Sequence, residues 1–333
     1  MAKTKKKKQE EETNEKMEAL LDDIHKQFGK ESALTLRGSK KVNIDKVSTG
    51  SLKIDYISGG GLPFGRIVEI FGPESSGKTT LTLHVLAESM KKYPKKLAAF
   101  IDAEHSLDPN YAEALGVDID RLFVIQPDSG EQGLEIAEAL IRSGDISCVV
   151  VDSVDALTPL TTMEGEMGDR HVAPLARLMS QATRKLASVT KRQNTLLLFV
   201  NQVREKVGQM YGNPETTVGG RALKFYSTIR LEIRRNGKPG DDYVKARVKC
   251  VKNKVAPPFK ETFIDIAYGK GIMLHGEILD MAVEYGIIDK AASWYKKDGK
   301  NLVQGRAAAI DLLHEDQELM DELYKKVQEA INE

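Results

Sequence analysis

The stretch Arg66-Ile-Val-Glu-Ile-Phe-Gly-Pro-Glu-Ser-Ser-Gly-Lys-Thr79 determines how the rest of the chain is interpreted. Its apolar first half is typical of a buried strand, and residues 78–91 have the periodicity of a helix. Between them, Gly72 to Thr79 matches G-x-x-x-x-G-K-[ST] in full, directly after a strand and at the start of a helix, as its mechanism requires. Such glycines let backbone N–H groups close around phosphate oxygens at a helix N-terminus. The segment therefore predicts a nucleotide phosphate site in an α/β fold.

The residues of this phosphate loop have expected parts in binding a nucleoside triphosphate. Lys78 would reach the β- and γ-phosphates, and the Thr79 hydroxyl would hold Mg²⁺. Asp152 ends a second apolar strand, where a carboxylate can orient Mg²⁺ and its water. The predicted cofactors are ATP and Mg²⁺, the predicted metal ligands are Thr79 and Asp152, and the predicted phosphate-loop contacts are Gly72, Pro73, Glu74, Ser75, Ser76, Gly77, Lys78, Thr79 and Thr80.

Another apolar strand ends at Asp102, with Glu104 close behind it. A carboxylate at this position can point at the γ-phosphate and polarise an attacking water. From the residues alone, Asp102 and Glu104 compete for this role. The same segment, Asp102-Ala-Glu-His105, suggests a metal site, but no second ligand pair of suitable spacing supports that interpretation.

Strands and helices alternate from about residue 42. Short apolar strands separated by helices indicate a mostly parallel, twisted sheet covered on both faces. Beyond residue 225, two strands follow each other without a helix between them, which indicates an antiparallel extension. The predicted strands are 66–71, 97–102, 122–125, 148–152, 195–201, 225–235 and 243–251, and the predicted helices are 78–91, 110–115, 130–142 and 174–190.

Four segments are expected along the chain. Residues 1–13 are low-complexity charge and are predicted to be a disordered tail. Residues 14–41 hold an amphipathic helix (14–28) and a linker, residues 42–273 form the ATPase core, and residues 274–333 form a small α+β domain. The apolar face of helix 14–28 needs a partner, which could be its own domain or a neighbouring subunit.

The composition excludes several classes of protein. The 333 residues include 41% hydrophobic residues, and the longest apolar run is too short to cross a bilayer. The 2 cysteines cannot make a disulfide framework or a zinc site, which fits a reducing cytosol. A cytoplasmic protein with no membrane partner is therefore expected.

The formal net charge of zero hides a strong segregation of charge. The 49 basic and 49 acidic residues balance, but residues 201–260 contain 14 basic and 5 acidic side chains, a local charge of +9. Arg230, Glu232 and Arg234 fall on one strand face, and Lys245, Arg247 and Lys249 on another. These could be ordinary solvated faces, but charges of nearly one sign repel unless a polyanion neutralises them.

Two glycine-containing loops, 163–169 and 203–220, accompany this basic stretch. A loop as long as 203–220 inside a compact domain is usually functional or disordered. Arg204, Met210 and Tyr211 in this loop suit contacts with a nucleic-acid backbone and with stacked bases. The sequence therefore predicts nucleic-acid binding.

Six segments in order resemble the RecA family of P-loop ATPases, namely 49–55, 60–80, 100–105, 150–154, 212–217 and 222–226. The similarity runs from about residue 14 to the low 320s. It implies a DNA-dependent ATPase that forms helical filaments on single-stranded DNA and exchanges strands with homologous double-stranded DNA during repair. It also implies a co-protease role in the self-cleavage of an SOS repressor.

The resemblance assigns roles around the nucleotide. By likeness, Glu104 is the water-activating base, and Gln202 is a γ-phosphate sensor at the start of loop 203–220. Asp108 and Tyr111 would contact the adenine. Lys252 and Lys254 would reach the ATP of a neighbouring subunit, where a cation supplied in trans stabilises charge on the transferring phosphoryl group.

The resemblance also assigns DNA contacts. Loops 163–169 and 203–220 would hold the primary strand, with help from Arg177, Ser180, Arg184, Arg204, Val207, Gly219 and Gly220. A secondary DNA site would be formed by Arg234, Arg235, Arg247 and Lys249. Helix 14–28 would dock on the adjacent core, and the lysines around Trp294 would capture duplex. Two alternatives remain, a ring-forming helicase motor on the same core and a regulatory ATP-binding module.

Overall fold

The computed structural model describes residues 2–29, 32–33, 44–165, 173–205, 215–238, 240 and 242–332. The chain divides into two compact units, residues 1–45 and 46–333. The first contains helix α1 (Ala2–Phe28). This helix includes most of the charged segment that we predicted to be a disordered tail. The reason is local, because lysine, glutamate and glutamine are nearly as good helix formers as alanine.

The apolar face of α1 is open to solvent. Met17 and Leu20 are exposed, as are Ile24 and Phe28, and Phe28 has 72% of its surface accessible. These side chains recur at the spacing of one helical face. In the linker that follows, residues 30–31 and 34–43 lie outside the described part of the chain.

The second unit is built on a mixed sheet, with a small sheet of β1 (Lys46–Val47) and β2 (Leu62–Pro63) beside it. The strands of the main sheet are β3 (Ile67–Gly72), β4 (Leu97–Asp102), β5 (Leu122–Ile125), β6 (Ile146–Asp152), β7 (Leu196–Glu205), β8 (Glu215–Thr217), β9 (Ile229–Arg235), β10 (Tyr243–Asn253), β11 (Glu261–Ala267) and β12 (Gly271–Ile272). Within the described residues they follow the order β12-β11-β10-β9-β3-β7-β6-β4-β5, and β8 pairs with β7.

Pairing in the main sheet follows the predicted pattern. Strands β9, β3, β7, β6, β4 and β5 are parallel to one another, and β10, β11 and β12 extend the sheet antiparallel. The helices of this core are α2 (Leu52–Ser58), α3 (Lys78–Lys92), α4 (Pro109–Ala114), α5 (Gly130–Ser143), α6 (Leu160–Met163), α7 (Pro174–Gln193) and α8 (Ala222–Tyr226). The predicted fold class, a mostly parallel α/β core with an antiparallel extension, is confirmed.

Both faces of the central strands are covered. Every residue of β6 is buried, as expected for a parallel strand between two layers of helices. Phe100 and Val150 belong to a buried cluster that includes α3, whereas Ile101 and Val151 belong to one that includes α5 and α7. These two apolar cores hold the strand ends in place, and the functional side chains follow those ends.

Residues 274–332 form a small α+β region with its own apolar cluster. Its elements are α9 (Leu274–Glu284), β13 (Asp289–Ala291), β14 (Trp294–Lys297), β15 (Lys300–Gln304), α10 (Arg306–Glu315) and α11 (Gln317–Asn332). None of the helices in the described residues has the length and apolarity needed to span a membrane.

A polar joint connects this region to the core. The Ser51 hydroxyl, which caps α2 by accepting from Ile54 N, also contacts both carboxylate oxygens of Glu277 in α9, at 2.9 and 2.8 Å. Lys53 forms an ion pair with Asp280 at 3.6 Å. Glu277 is 3% exposed, and burial raises its pKa to about 7 against the weaker opposing effects of Ser51 and Lys53.

Neutralising Glu277 is expected to remove a pH dependence of stability. The pKa of Glu277 is about 7 in the folded chain, compared with an ordinary value of 4.5. The free energy of unfolding therefore falls as pH rises from about 4.5 to about 7, by roughly 3 kcal/mol at most. Glu277→Gln should match the unmodified chain at pH 5 and exceed it at pH 8. The single tryptophan, Trp294, lies in β14, so its fluorescence during urea unfolding reports the measurement.

Parallel stability profiles for Glu277→Gln and the unmodified chain between pH 5 and 8 would contradict this expectation. Burial also raises the pKa of nearby Asp55 to about 6. Both proteins keep Asp55, so its contribution cancels in the comparison.

Candidate nucleotide and DNA sites

The sheet order brings the predicted catalytic segments together. Strands β3, β7, β6 and β4 are consecutive neighbours and parallel. Their carboxyl ends carry the phosphate loop, Gln202, Asp152 and Glu104 in turn. Ligands of open α/β sheets bind beyond the carboxyl ends of the strands. The predicted residues thus lie along one edge, where such a ligand is expected.

The phosphate loop depends on glycine at both ends. A Cβ atom on Gly72 would lie 1.9 Å from the carbonyl oxygen of Ile233, and Gly77 has a φ of 94°, in the left-handed region. Inside the loop, Ser76 Oγ and Lys78 Nζ donate to the Pro73 carbonyl oxygen at 2.9 and 2.6 Å. Burial lowers the pKa of Lys78, whereas Asp152 and Glu104 oppose that shift.

Thr79 and Asp152 meet as a metal-binding pair would. Thr79 Oγ1 donates to Asp152 Oδ2 at 2.7 Å. The pKa of Asp152 is raised to about 6, mainly by burial and also by the charges of Glu104 and Asp102, against the lowering effect of the hydrogen bond from Thr79. A cation at this position would offset that concentration of negative charge. The described residues contain no cluster of three or more His, Cys, Asp or Glu that could hold a metal ion.

Asp102 and Glu104 differ in their surroundings. Asp102 is buried, and its carboxylate accepts from Ser106 N at 3.0 Å, Leu107 N at 3.2 Å and Gln126 Nε2 at 3.2 Å. Its hydrogen bonds therefore stabilise the turn after β4. Glu104 is exposed. Of the two carboxylates, Glu104 is the one that lies open toward a ligand.

Glu104 accepts two hydrogen bonds from neighbouring strand ends. Gln202 Nε2 donates to its Oε1 at 3.0 Å, and Ser153 Oγ donates to the same atom. The Gln202 Oε1 atom is buried and has no hydrogen-bond partner within the described part of the chain. Sequence reasoning missed Ser153, although its position directly after Asp152 was a signal. Glu104 is thus linked by hydrogen bonds to the ends of two neighbouring strands.

The two residues predicted to contact adenine are placed by α4. Asp108 is the N-cap of α4, and its Oδ1 accepts from Asn110 N at 2.9 Å. The hydroxyl groups of Tyr111 and Thr80 are hydrogen-bonded at 2.9 Å. Tyr111 is therefore connected directly to the residue that follows the phosphate loop motif.

Lys252 and Lys254 lie together at the C-terminal end of α8. Lys252 Nζ donates to the carbonyl oxygens of Lys224 and Phe225, the latter at 3.0 Å, and Lys254 Nζ donates to Phe225 O at 3.2 Å. The pKa of Lys252 is lowered to about 8, mainly by burial and in part by the charges of Lys254 and Arg230. We call these two lysines the paired lysines.

The charged faces of β9 and β10 are partly neutralised, contrary to the argument that their charges must repel. Arg234 pairs with Glu215 and, through Nε at 3.0 Å, with Glu232. Arg247 lies opposite Arg234 and pairs with Glu232 at 3.3 Å. The further ion pairs are Arg247 and Lys249 with Glu261, each at 3.8 Å, and Lys245 with Asp265 at 3.9 Å. Arg235 is exposed at the end of β9. The basic side chains lie on β9 and β10 as predicted, but neighbouring acidic side chains neutralise part of their charge.

The predicted primary DNA contacts lie on and beside α7. Arg177, Ser180 and Arg184 line one side of this helix along an open groove of about 510 Å³. Gly219 and Gly220 approach the same helix, since a Cβ atom on Gly220 would lie 2.8 Å from Ala176 Cβ. Arg204 forms an ion pair with Asp155. Val207, residues 166–169 and residues 206–214 lie outside the described part of the chain.

Comparison with known proteins relates both parts of the chain to one family. Residues 15–273 match the RecA N-terminal domain, and residues 276–332 match the RecA C-terminal domain. Protein RecA of Caldanaerobacter subterraneus subsp. tengcongensis is 54% identical over 326 residues, which cover 96% of this chain and 95% of that protein. Protein RecA of Thioalkalivibrio sulfidiphilus is 53% identical over 326 residues, covering 96% and 94%.

The chain belongs to the RecA family. It is a DNA-dependent ATPase of the P-loop class that acts in homologous recombination by strand exchange. The boundary between the two RecA domains falls between residues 273 and 276, at the start of α9 and close to the predicted boundary. Membership of this family implies nucleotide binding, DNA binding and filament formation.

Proposed function

We propose that this chain forms a helical filament on single-stranded DNA, holds ATP with Mg²⁺ at the edge described above, and hydrolyses it with residues from two subunits. The main support for this proposal is a contact between two predicted catalytic residues. Gln202 contacts Glu104 at 3.0 Å and lies at the start of loop 203–220. The same short segment therefore joins the candidate hydrolytic carboxylate to the candidate DNA loop.

The proposed chemistry assigns one task to each group. Glu104 accepts a proton from the attacking water, whose oxygen forms a bond to the γ-phosphorus as the bond to the ADP oxygen breaks. Gln202 acts as the γ-phosphate sensor, with the Nε2 group that contacts Glu104 as its donor. Lys78 holds the β- and γ-phosphates, and Asp108 and Tyr111 hold the base. When bound through Thr79 and Asp152, Mg²⁺ neutralises charge on the phosphate oxygens.

The paired lysines complete the site of a neighbouring subunit. Their hydrogen bonds go to the end of α8, which leaves two ammonium groups close together at the molecular surface. Two adjacent cations repel each other, and an approaching triphosphate would relieve that repulsion. Hydrolysis then depends on assembly, since each phosphate loop needs the lysines of the next subunit.

Two apolar surfaces support self-assembly. The exposed stripe of α1 suits docking on the core of a second copy. Strand β5 ends the main sheet on one side, and its Phe123 and Val124 are each 48% exposed. An uncovered edge strand with apolar side chains is a template for pairing with another chain. A head-to-tail contact that does not close generates an open helical filament.

The proposed DNA sites are based on the charge and the position of the residues that form them. Loops 163–169 and 203–220, with the groove on α7, hold the first strand through Arg177, Ser180, Arg184, Arg204, Val207, Gly219 and Gly220. The incoming strand contacts Arg234, Arg235, Arg247 and Lys249. Duplex is captured by the lysines of the C-terminal domain near the half-exposed Trp294. The assembled filament also promotes self-cleavage of an SOS repressor in the cytoplasm.

Strand exchange with and without ATP tests the proposed function directly. Exchange between single-stranded circles and homologous linear duplex should require ATP and should fall steeply with salt. Electron microscopy with single-stranded DNA and a slowly hydrolysed ATP analogue should show open helical filaments. Closed rings would favour a helicase motor, and the absence of DNA-dependent assembly would favour a regulatory module.

Arg247→Ala is expected to weaken strand exchange more than DNA-stimulated ATP hydrolysis. Arg247 is 34% exposed and forms ion pairs with Glu232 and Glu261, which also pair with other basic residues. We therefore expect its removal to weaken phosphate contacts with the incoming strand and to leave the fold intact. The slope of log affinity against log salt for that strand should fall by about 1. Gel assays of exchange and a coupled ATPase assay provide the comparison.

Arg142→Ala is the matched control for Arg247→Ala. Arg142 is an exposed arginine at the end of α5, ion-paired with Glu138 at 2.6 Å, and is not among the proposed DNA contacts. Its loss should leave both activities unchanged. Equal losses of exchange and hydrolysis in Arg247→Ala would reassign Arg247 to the primary strand.

A further inference from the structure

A fully buried carboxylate lies in β3 just before the phosphate loop. Glu69 has 0% of its surface exposed, and burying an unpaired charge would be costly. Both of its oxygens are used. Asn201 Nδ2 donates to Oε1 at 2.9 Å, and Arg230 Nε donates to Oε2. Glu69 therefore ties β3 to both of its neighbours, β7 and β9.

Asn201 extends this constraint to both ends of loop 203–220. Its Nδ2 also donates to the carbonyl oxygen of Val218 at 3.0 Å, and its Oδ1 accepts from the backbone N of Gln202 at 2.9 Å. Gln202 immediately precedes the loop and contacts Glu104, whereas Val218 lies near the end of the loop. One buried amide thus holds the entry and the exit of the DNA loop together.

Arg230 extends the same constraint to the paired lysines. It lies opposite Glu69 on β9, and on its other side it lies opposite Lys252 on β10. Its guanidinium carbon is 4.5 Å from the centroid of the Phe71 ring, directly before Gly72. The negative charge of Glu69 therefore compensates the charge of the Arg230 guanidinium and orients it. This guanidinium lies between the phosphate loop and the paired lysines.

We propose that Glu69 is a positioning residue that couples loop 203–220 to the Glu104–Gln202 pair and to the paired lysines. This inference rests on the proposed function, because it names how DNA on the loop and ATP at the sheet edge affect each other. Glu69 touches neither ligand. It acts by holding Asn201 and Arg230 through a buried hydrogen-bond network.

Glu69→Gln tests the proposal with little change of volume. Its new amide nitrogen would face the amide of Asn201, so a donor replaces an acceptor and the contact is lost. Two affinities should each stay within about two-fold: that for a fluorescent ATP analogue and that for single-stranded DNA without nucleotide. The coupling ratio is the DNA Kd without nucleotide divided by the DNA Kd with a slowly hydrolysed ATP analogue. We expect this ratio to fall at least about five-fold. DNA stimulation of kcat should fall in parallel. A folded Glu69→Gln protein with an unchanged ratio overturns the proposal.

The double variant Glu69→Gln with Asn201→Asp gives a second and independent test. The new amide at position 69 can then donate to the new carboxylate at position 201. That carboxylate still accepts from Gln202 N, but it cannot donate to the Val218 carbonyl. We expect the thermal unfolding midpoint to return toward that of the unmodified chain while the coupling ratio stays low. Full coupling in this variant overturns the proposed role of the Val218 contact.

Glu277→Gln is the matched control, since it neutralises an equally buried glutamate at the joint with the C-terminal domain. Its coupling ratio should equal that of the unmodified chain, and a loss as large as that of Glu69→Gln would overturn the specific role of Glu69. An unmodified chain that shows no effect of ATP on DNA affinity would reject the proposed function instead. The two failures are therefore distinguishable.

Discussion

Glu104→Gln is expected to stop ATP turnover while leaving the binding of ATP and DNA intact. The amide keeps the size of the side chain and can still accept from Ser153, but it cannot take a proton from water. Loss of a general base lowers kcat by about 10²–10⁴-fold. A coupled ATPase assay with saturating single-stranded DNA measures kcat, and a fluorescent ATP analogue measures binding. Filaments of this variant should persist, because their ATP is not consumed.

Glu113→Gln is a suitable control for this change, since Glu113 is an exposed glutamate on the neighbouring helix α4. It should hydrolyse ATP at the normal rate. Normal turnover in Glu104→Gln would reject Glu104 as the base. Asp102→Asn addresses the competing carboxylate: because Asp102 holds the turn after β4, we expect that variant to lose stability rather than to lose the chemical step alone.

Mixing two inactive variants is expected to restore ATP hydrolysis. Lys252→Ala should lose about 10³-fold in kcat or more, as when a cation supplied in trans is removed. Lys78→Ala should lose phosphate binding. In an equimolar filament, about one interface in four combines an intact phosphate loop with an intact Lys252, since each is present in half of the subunits. The DNA-stimulated rate of the mixture should therefore rise far above that of either variant.

A mixture of Lys78→Ala with Glu104→Gln distinguishes complementation from a general effect of mixing. Both of these changes damage the half of the site that one subunit supplies, so no interface in that mixture is complete. It should stay inactive. Recovery in both mixtures, or in neither, would contradict an ATP site shared between subunits.

The phosphate site could be predicted from sequence because its residues are contiguous. Gly72 to Thr79 occupy one turn between a strand and a helix, so their spacing alone specifies their geometry. Asp152 was predictable for a related reason, as it ends an apolar strand that had to be parallel to β3. Asp102 and Glu104 could not be separated in this way. Their difference depends on Ser106, Leu107 and Gln126, which bind only Asp102, and on Gln202, which comes from a distant strand.

Contacts between strands far apart in sequence were beyond prediction. Glu69 interrupts an apolar run, but nothing near it in the sequence indicates that Asn201 and Arg230 are its partners. The basic face was overestimated for the same reason. Counting residues 201–260 leaves out Glu261 and Asp265, which β11 brings beside Arg247, Lys249 and Lys245. A count along the chain measures charge in sequence, whereas repulsion depends on charge in space.

On the proposal that the paired lysines act in trans, the two ends of an assembled filament are unequal. If each phosphate loop is completed by the next subunit, the phosphate loop of one terminal subunit has no neighbour to supply those ammonium groups. That subunit keeps its ATP while interior subunits convert theirs to ADP. A filament of identical chains therefore carries an unhydrolysed cap at one end only, and the rates at which subunits leave the two ends differ without any second protein to distinguish them.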